Sequence, residues 1–409
     1  LLYTGFAWGC APAIDDEMLA ESGGSSASTN ESMSTSPDGD SSGDETFGPS
    51  DSDTSSGQDS PCGNGQLDAD EACDDGNAED GDGCNAQCTV SGQQLWRVPL
   101  VNSDAYETIH SVQASPSTII VTGWRGAGAS GATDVFSPTA EVIVYDAEGD
   151  HIRTLQGEDR LLAATLLQDD SLLLRLDWSS LEDLEQNDRT RHVALDGTRL
   201  GGTRRPIRNA IPIDERVVIV EADPDADFLT SLHEVDPSDA TSDWNIGPPL
   251  DGMRSVNGLA GSRGAYYAVG QGLDLISTVI YTEDLVTAHG VIRLEDGEDV
   301  PPVRDVVGNG ERVLIRSENG RVWIVEGQGQ DATRLDLESV TAVSDSSDGG
   351  WMVCVDQERV EKLSAAGTKL YEIKLADETK VLAMEADRLG VVAVEEDPDG
   401  SRWVTRYSG

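Results

Sequence analysis

The sequence predicts an all-β fold, a seven-bladed β-propeller, preceded by a disordered acidic linker and a small disulfide-rich module. Three observations predict it. From Leu95 onward, short runs rich in Val, Ile, Leu and Trp are bounded by Gly, Asp, Asn and Pro, the texture of strands separated by turns. A strand that ends in a short acidic turn recurs at roughly 38–50 residues, the length of one four-stranded blade. The roughly 315 residues carrying that period have room for seven blades.

Four segments follow in order: 1–10, 11–60, 61–92 and 94–409. Leu1 to Cys10 is apolar apart from Tyr3, Thr4 and the closing Gly9-Cys10, and reads as the end of a signal-peptide hydrophobic region. Ala7-Trp8-Gly9-Cys10 resembles a bacterial lipobox, in which a small residue precedes a cysteine that is lipidated after cleavage. Ala7 stands where that motif usually has Leu, and Trp8 where it has a small residue. The resemblance implies an exported lipoprotein of the outer membrane or cell surface, with Cys10 as the lipidated residue. Cleavage after Ala11-Pro12-Ala13, giving a freely secreted protein, is the competing expectation, and a retained apolar start is the third. No other segment approaches the roughly 18 apolar residues that cross a bilayer. Membrane contact is therefore expected only through the N-terminal anchor.

Residues 11–60 are dominated by Ser, Thr, Gly, Asp and Glu, as in Ser22-Gly23-Gly24-Ser25-Ser26. Such a segment buries too little apolar surface to offset the entropy of ordering, and its like charges extend it. It is expected to act as a stalk, with a mere spacer as the plainer alternative. The chain carries 76 acidic against 28 basic residues, a formal net charge of −48. Residues 1–93 hold 20 of the carboxylates and no Lys or Arg. Nucleic acid is excluded as a partner, because its phosphates are bound by clustered Lys and Arg.

Cys62, Cys73, Cys84 and Cys88 follow at gaps of ten, ten and three residues. The span is too short and too rich in Gly and Asp for a hydrophobic core, so it needs covalent staples. Two disulfides fit an exported chain, with connectivity open among three pairings. Zinc, the other reading of clustered cysteines, is disfavoured by the lack of paired C-x-x-C spacing. The string Cys62-Gly63-Asn64-Gly65, Cys73-Asp74-Asp75-Gly76-Asn77, Gly81-Asp82-Gly83-Cys84 and Cys88 closely resembles the myxobacterial-type cysteine-rich disulfide repeat. That resemblance covers residues 62–88 and implies an extracellular module of bacterial surface proteins with no enzyme activity. Asp74, Asp75, Asn77, Asp80 and Asp82 are candidate calcium ligands, since a tight acidic loop suits a hard cation. The alternative is that Asp, Asn and Gly simply make turns; no other cofactor is expected.

Within 94–409, strands are expected at Thr118–Gly123, Ala140–Tyr145, Ser171–Leu176, Arg216–Glu221, Gly264–Val269, Arg312–Arg316, Arg321–Val325, Trp351–Val355 and Gly390–Val394. Leu181–Glu185 is the best short helical exception. The recurring turns follow Tyr145, Leu195, Val235, Tyr281, Val325 and Leu363. The region resembles bacterial β-propellers in architecture only, with a pair of β-sandwiches as the rival fold. The last repeat offers three strands, Lys380–Glu385, Gly390–Glu395 and Ser401–Tyr407, one short of a blade. Gln94–Leu100 is an apolar extended segment that can supply the fourth and close the ring. Pro99 suits an edge, where no amide donor is needed.

No catalytic constellation is legible. Gly126-Ala127-Gly128-Ala129-Ser130-Gly131 satisfies G-x-G-x-x-G, but a strand rather than a helix follows it, so a loop is the better reading. His110, His151, His192, His233 and His289 are scattered singly, and no G-x-S-x-G elbow occurs. Trp96, Trp124, Trp178, Trp244, Trp323, Trp351 and Trp403 recur about once per blade, as packing residues would. Cys354 lies in an apolar run and reads as a buried free thiol. The expectation is a monomeric binding protein whose propeller loops take a protein or glycan ligand at the envelope or outside the cell. A propeller-fold polysaccharide hydrolase or lyase, or a structural envelope scaffold, are the alternatives. Convergent carboxylates or histidines with shifted pKa at one mouth of the channel would favour the enzyme.

Overall fold

The computed structural model describes residues 64–66, 71–74, 76, 84, 88–125, 139–156, 161–176, 190–203, 207–213, 216–222, 230–235, 249–262, 264–274, 276–294, 303–308, 311–326, 331–346 and 349–409. Cys10, Cys62, Asp75, Asn77, Asp80, Asp82, the G-x-G-x-x-G segment, Leu181–Glu185, Trp178 and Trp244 lie outside them. The described residues form 27 strands and one short 3-10 turn, Ser103–Ala105. None of their helices is long and apolar enough to cross a membrane.

The strands make seven antiparallel sheets. Blade one is β2 (Tyr106–Ala114), β3 (Thr118–Arg125), β4 (Thr139–Asp146) and β5 (His151–Gln156); blade two is β6 (Leu161–Leu166), β7 (Leu172–Leu176), β8 (Thr190–Val193) and β9 (Arg199–Thr203). Blade three has three described strands, β10 (Ile207–Ile213), β11 (Arg216–Ala222) and β12 (Thr230–Val235). Blade four is β13 (Met253–Ser262), β14 (Ala265–Gly272), β15 (Ser277–Thr282) and β16 (Gly290–Arg293). Blade five is β17 (Val303–Gly308), β18 (Arg312–Ser317), β19 (Val322–Glu326) and β20 (Asp331–Arg334). Blade six is β21 (Val340–Asp345), β22 (Trp351–Val355), β23 (Arg359–Leu363) and β24 (Lys369–Ile373). Blade seven joins β25 (Lys380–Asp387), β26 (Gly390–Glu396) and β27 (Arg402–Ser408) to β1 (Gln94–Pro99).

The first strand of each blade touches the first strand of the next, in the cycle β2, β6, β10, β13, β17, β21, β25 and back to β2. The sheets therefore close into a ring, a seven-bladed β-propeller, with these inner strands around a central channel. Hydrophobic packing follows the same cycle. Seven buried clusters each span one pair of consecutive blades. Between blades four and five, Tyr267, Val269 and Val279 meet Val313, Ile315 and Trp323. Second strands are covered on both faces, so they read as unbroken apolar runs: every residue of Trp351–Val355 is buried. Burying one such side chain is worth about 1.5–3 kcal/mol.

The acidic turns found by their period are one structural feature, the link from third to fourth strand. After β4, Gly149 at φ +90° donates its amide to Asp146 O at 3.2 Å, and after β8, Gly197 at φ +86° donates to Ala194 O at 2.9 Å. Both sit in the left-handed region that glycine enters without steric cost.

Closure occurs as the strand count predicts. β1 pairs antiparallel with β27 from Gln94↔Tyr407 to Pro99↔Trp403, with a bulge at Leu95, and Pro99 lies on the outermost strand. Arg97 stacks over the Trp403 ring at 4.7 Å and pairs with Asp397 at 2.6 Å. Trp96 reaches into blade one, donating its indole N–H to Ala147 O at 3.1 Å. The bonding continues back toward the cysteine-rich module: Gly92 N donates to Ser408 O at 2.9 Å, and Ser408 Oγ to Val90 O at 2.6 Å.

Candidate functional site

Every inner strand skips one residue in its pairing with the second strand, close to its own beginning. A residue bulged out of an antiparallel ladder is left unpaired, and its side chain is re-aimed. The skipped residues are Glu107, Leu162, Arg208, Arg254, Arg304, Thr341 and Leu382, one per blade, so arginine holds this register in three consecutive blades. β2 and β13 skip a second residue, His110 and Asn257. Glu107, His110, Arg254, Asn257 and Arg304 are all exposed. One mouth of the channel thus gathers the chemistry-bearing side chains.

Blades four and five are pressed together here. A Cβ on Gly258 would come within 2.5 Å of Val306 Cγ1, and Asn257 Nδ2 donates to Val303 O at 3.4 Å. Asp305, the neighbour of Arg304, is occupied by Arg316, whose Nε donates to it at 2.6 Å. Across the channel His110 stacks on Trp124, with ring centroids 5.6 Å apart and planes at 16°. Burial first, then the charges of Arg175 and Arg304, hold the His110 pKa below its usual value, with Asp305 opposing. His110 is exposed to the channel and still crowded by protein atoms, which reconciles its accessibility with the desolvation. Arg304 lies on a blade three positions away round the ring, so its charge acts on His110 across the channel.

Deeper in the channel are carboxyl groups. Glu385 on β25 and Asp345 on β21 are half-buried. Burial, followed by the Asp345 charge, pushes the Glu385 carboxyl well above the usual range, and burial also raises Asp345. Ser344 lies between them, accepting from Ala386 N at 2.9 Å and donating to Asp345 O at 3.1 Å. Asp387 is held by Arg406. Neither pair stood out in the sequence, because acidic residues are everywhere in it.

One serine, histidine and aspartate do meet. Ser171 Oγ lies 2.5 Å from Asp169 Oδ1 and 2.6 Å from His192 Nε2. This is not a nucleophile relay, which needs the carboxylate on the far nitrogen of the histidine. His192 Nδ1 is buried without a hydrogen-bond partner among the described residues, and the group closes the turn into β7. Of the other histidines, His233 is buried and His151 and His289 are exposed.

In the cysteine-rich module the disulfide Cys73–Cys84 forms, and Cys88 is also disulfide-bonded. Asp74 Oδ1 accepts from Gly65 N at 3.0 Å and Gly76 N at 2.7 Å, tying the two glycine turns together. Burial raises its pKa, and backbone hydrogen bonds led by Gly76 and Gly65 outweigh that to leave it lowered. Asp74 is the one candidate calcium ligand among the described residues, and it holds a turn. Among those residues no group of three or more His, Cys, Asp or Glu is placed to hold a metal ion. Cys354 is a buried free thiol, with its pKa raised by burial.

No protein-family profile matches the chain, and no curated protein matches it. Among solved structures the computationally designed Ika8 protein is similar at 17% identity and a TM-score of 0.47, over 77% of this chain and 99% of that one.

Proposed function

We propose that this chain is an exported, surface-anchored recognition protein: Cys10 carries lipid, residues 11–60 form the stalk, and the propeller binds a ligand at the mouth where its inner strands begin. One observation carries the binding role. His110, Arg254, Asn257 and Arg304, from blades one, four and five, are exposed together at that mouth, and convergent polar groups at a concave opening are what a ligand site requires. The test is capture of envelope components by the full chain, run beside a glycan array. The double variant His110→Ala/Asn257→Ala should lose the captured ligand; capture that survives it would place recognition elsewhere. Metabolic labelling with a fatty-acid analogue checks the anchor, and Cys10→Ser should abolish the label.

A second reading is favoured by the raised carboxyls of Glu385 and Asp345. A neutral carboxylic acid beside a carboxylate is the arrangement of general acid and base in polysaccharide cleavage. Release of reducing ends or unsaturated sugars from polysaccharides, abolished by Glu385→Gln, would support it. No turnover across neutral and acidic polysaccharides would leave the recognition reading.

A further inference from the structure

We propose that the channel mouth holds an oxyanion, the carboxylate or phosphate group of a small ligand, between Arg254 and Arg304. This deepens the recognition reading and rests on it. In a chain with 76 carboxylates and 28 basic residues, an exposed arginine has many acidic groups available to pair with. Arg97, Arg293, Arg312, Arg316, Arg359, Arg402 and Arg406 all sit in ion pairs. Arg254 and Arg304 make neither an ion pair nor a hydrogen bond among the described residues, although both are exposed. The carboxylate nearest Arg304 in sequence, Asp305, is taken by Arg316.

Their placement is also not that of random surface residues. Both occupy the bulged register of neighbouring inner strands, where the side chain is left out of the ladder, and both are exposed. The close approach at Gly258 and Val306 brings those strands side by side. A guanidinium presents a planar fork of donors that fits carboxylate and phosphate oxygens, and charge-assisted bonds of this kind are about twice as strong as neutral ones. Long-range repulsion from the acidic surface is screened over about 8 Å at physiological ionic strength, so the two arginines govern the local field. Glu107, in the same register on blade one, stands across the ring and can meet a donor elsewhere on the ligand.

Isothermal titration of the full chain with three probes tests this: inorganic phosphate, a trigalacturonate and the neutral trisaccharide maltotriose. At least one charged probe should bind, maltotriose should not, and binding should weaken as salt is raised. Phosphate alone would assign the tetrahedral anion, and trigalacturonate alone the carboxylate. Arg254→Gln/Arg304→Gln should weaken binding by about tenfold or more, the loss expected when charge-assisted hydrogen bonds are removed. Arg312→Gln removes the same charge at the opposite end of blade five, where Arg312 pairs with Glu326 at 3.1 Å, and should leave affinity unchanged. All variants should keep the parent melting temperature closely, since Arg254 and Arg304 are exposed and the Arg312–Glu326 pair is solvent-accessible, where an ion pair contributes little. The proposal is overturned by no binding of either charged probe, by equal binding of maltotriose, or by full affinity in the double arginine variant. Capture of an envelope ligand that depends on His110 and Asn257, without any oxyanion binding, would overturn this inference alone. Loss of both would overturn the recognition reading with it.

Discussion

Ionising Glu385 places a negative charge beside Asp345 inside the channel, and burial adds the larger penalty. A carboxyl whose pKa is raised by folding binds its proton more tightly in the folded state. Stability is therefore fully present below the unfolded value near 4.5 and falls as pH rises toward the folded value. Glu385→Gln removes that ionisation while keeping the shape. The variant should melt higher than the parent at pH 8, and the gap should close near pH 4, where both side chains are neutral. A gap that is equal at both pH values would assign the effect to packing instead. Gly149 gives a second test at this scale. Its φ is +90°, and a Cβ there would lie 3.0 Å from the Trp96 ring. Gly149→Ala should cost about 1–2 kcal/mol for the left-handed backbone alone, read as a lowered denaturant midpoint with an unchanged slope.

Which elements the sequence announces follows from what covers them. All nine strands expected from composition alone are observed, and they are second or third strands of their blades. Buried on both faces between neighbouring blades, they must be apolar throughout. Inner strands face the channel on one side and outer strands face solvent, so β2, with His110 and Glu107 exposed, and β24, with Leu370 43% exposed, carry no clean run. The period was legible because a glycine turn after the third strand recurs, as at Gly149, Gly197 and Gly367, whereas the channel mouth was not. Arg254 and Arg304 take equivalent positions on adjacent inner strands through bulges, which leave no mark in local spacing. Closure itself was legible from strand counting, and it carries a prediction. Trp96 fills the space over the blade-one turn and bonds Ala147 O, so it joins the first and last blades. Trp96→Ala should destabilise by about 2–4 kcal/mol, at or below the usual cost of a core Trp→Ala because Trp96 is only half-buried. Deleting residues 94–100 should lower the melting temperature by many degrees, while deleting 15–60 should leave it unchanged.

At the scale of the whole molecule, the ring has seven interblade cores and no single centre, which raises the question of whether it opens blade by blade or all together. Cys354 answers it. The thiol is completely inaccessible on β22, burial raises its pKa, and it packs in the core shared by blades six and seven. That core abuts the seam closed by β1 and β27, the one place among the described strands where a blade is built from distant parts of the chain. Alkylation needs an exposed thiolate, so Cys354 reports opening of this interface, and the described disulfides lie in the cysteine-rich module. Mild reductant followed by a maleimide should label the module's thiols quickly and leave Cys354 protected. If the ring opens as one unit, the slow labelling of Cys354 should track the global stability measured by denaturant, because exchange through full unfolding carries the full free energy. Trp96→Ala should then accelerate that labelling by the factor its stability loss dictates, about tenfold for each 1.4 kcal/mol. Labelling as fast as in the module would mean that the seam opens locally, and labelling insensitive to Trp96→Ala would mean that β1 does not govern closure.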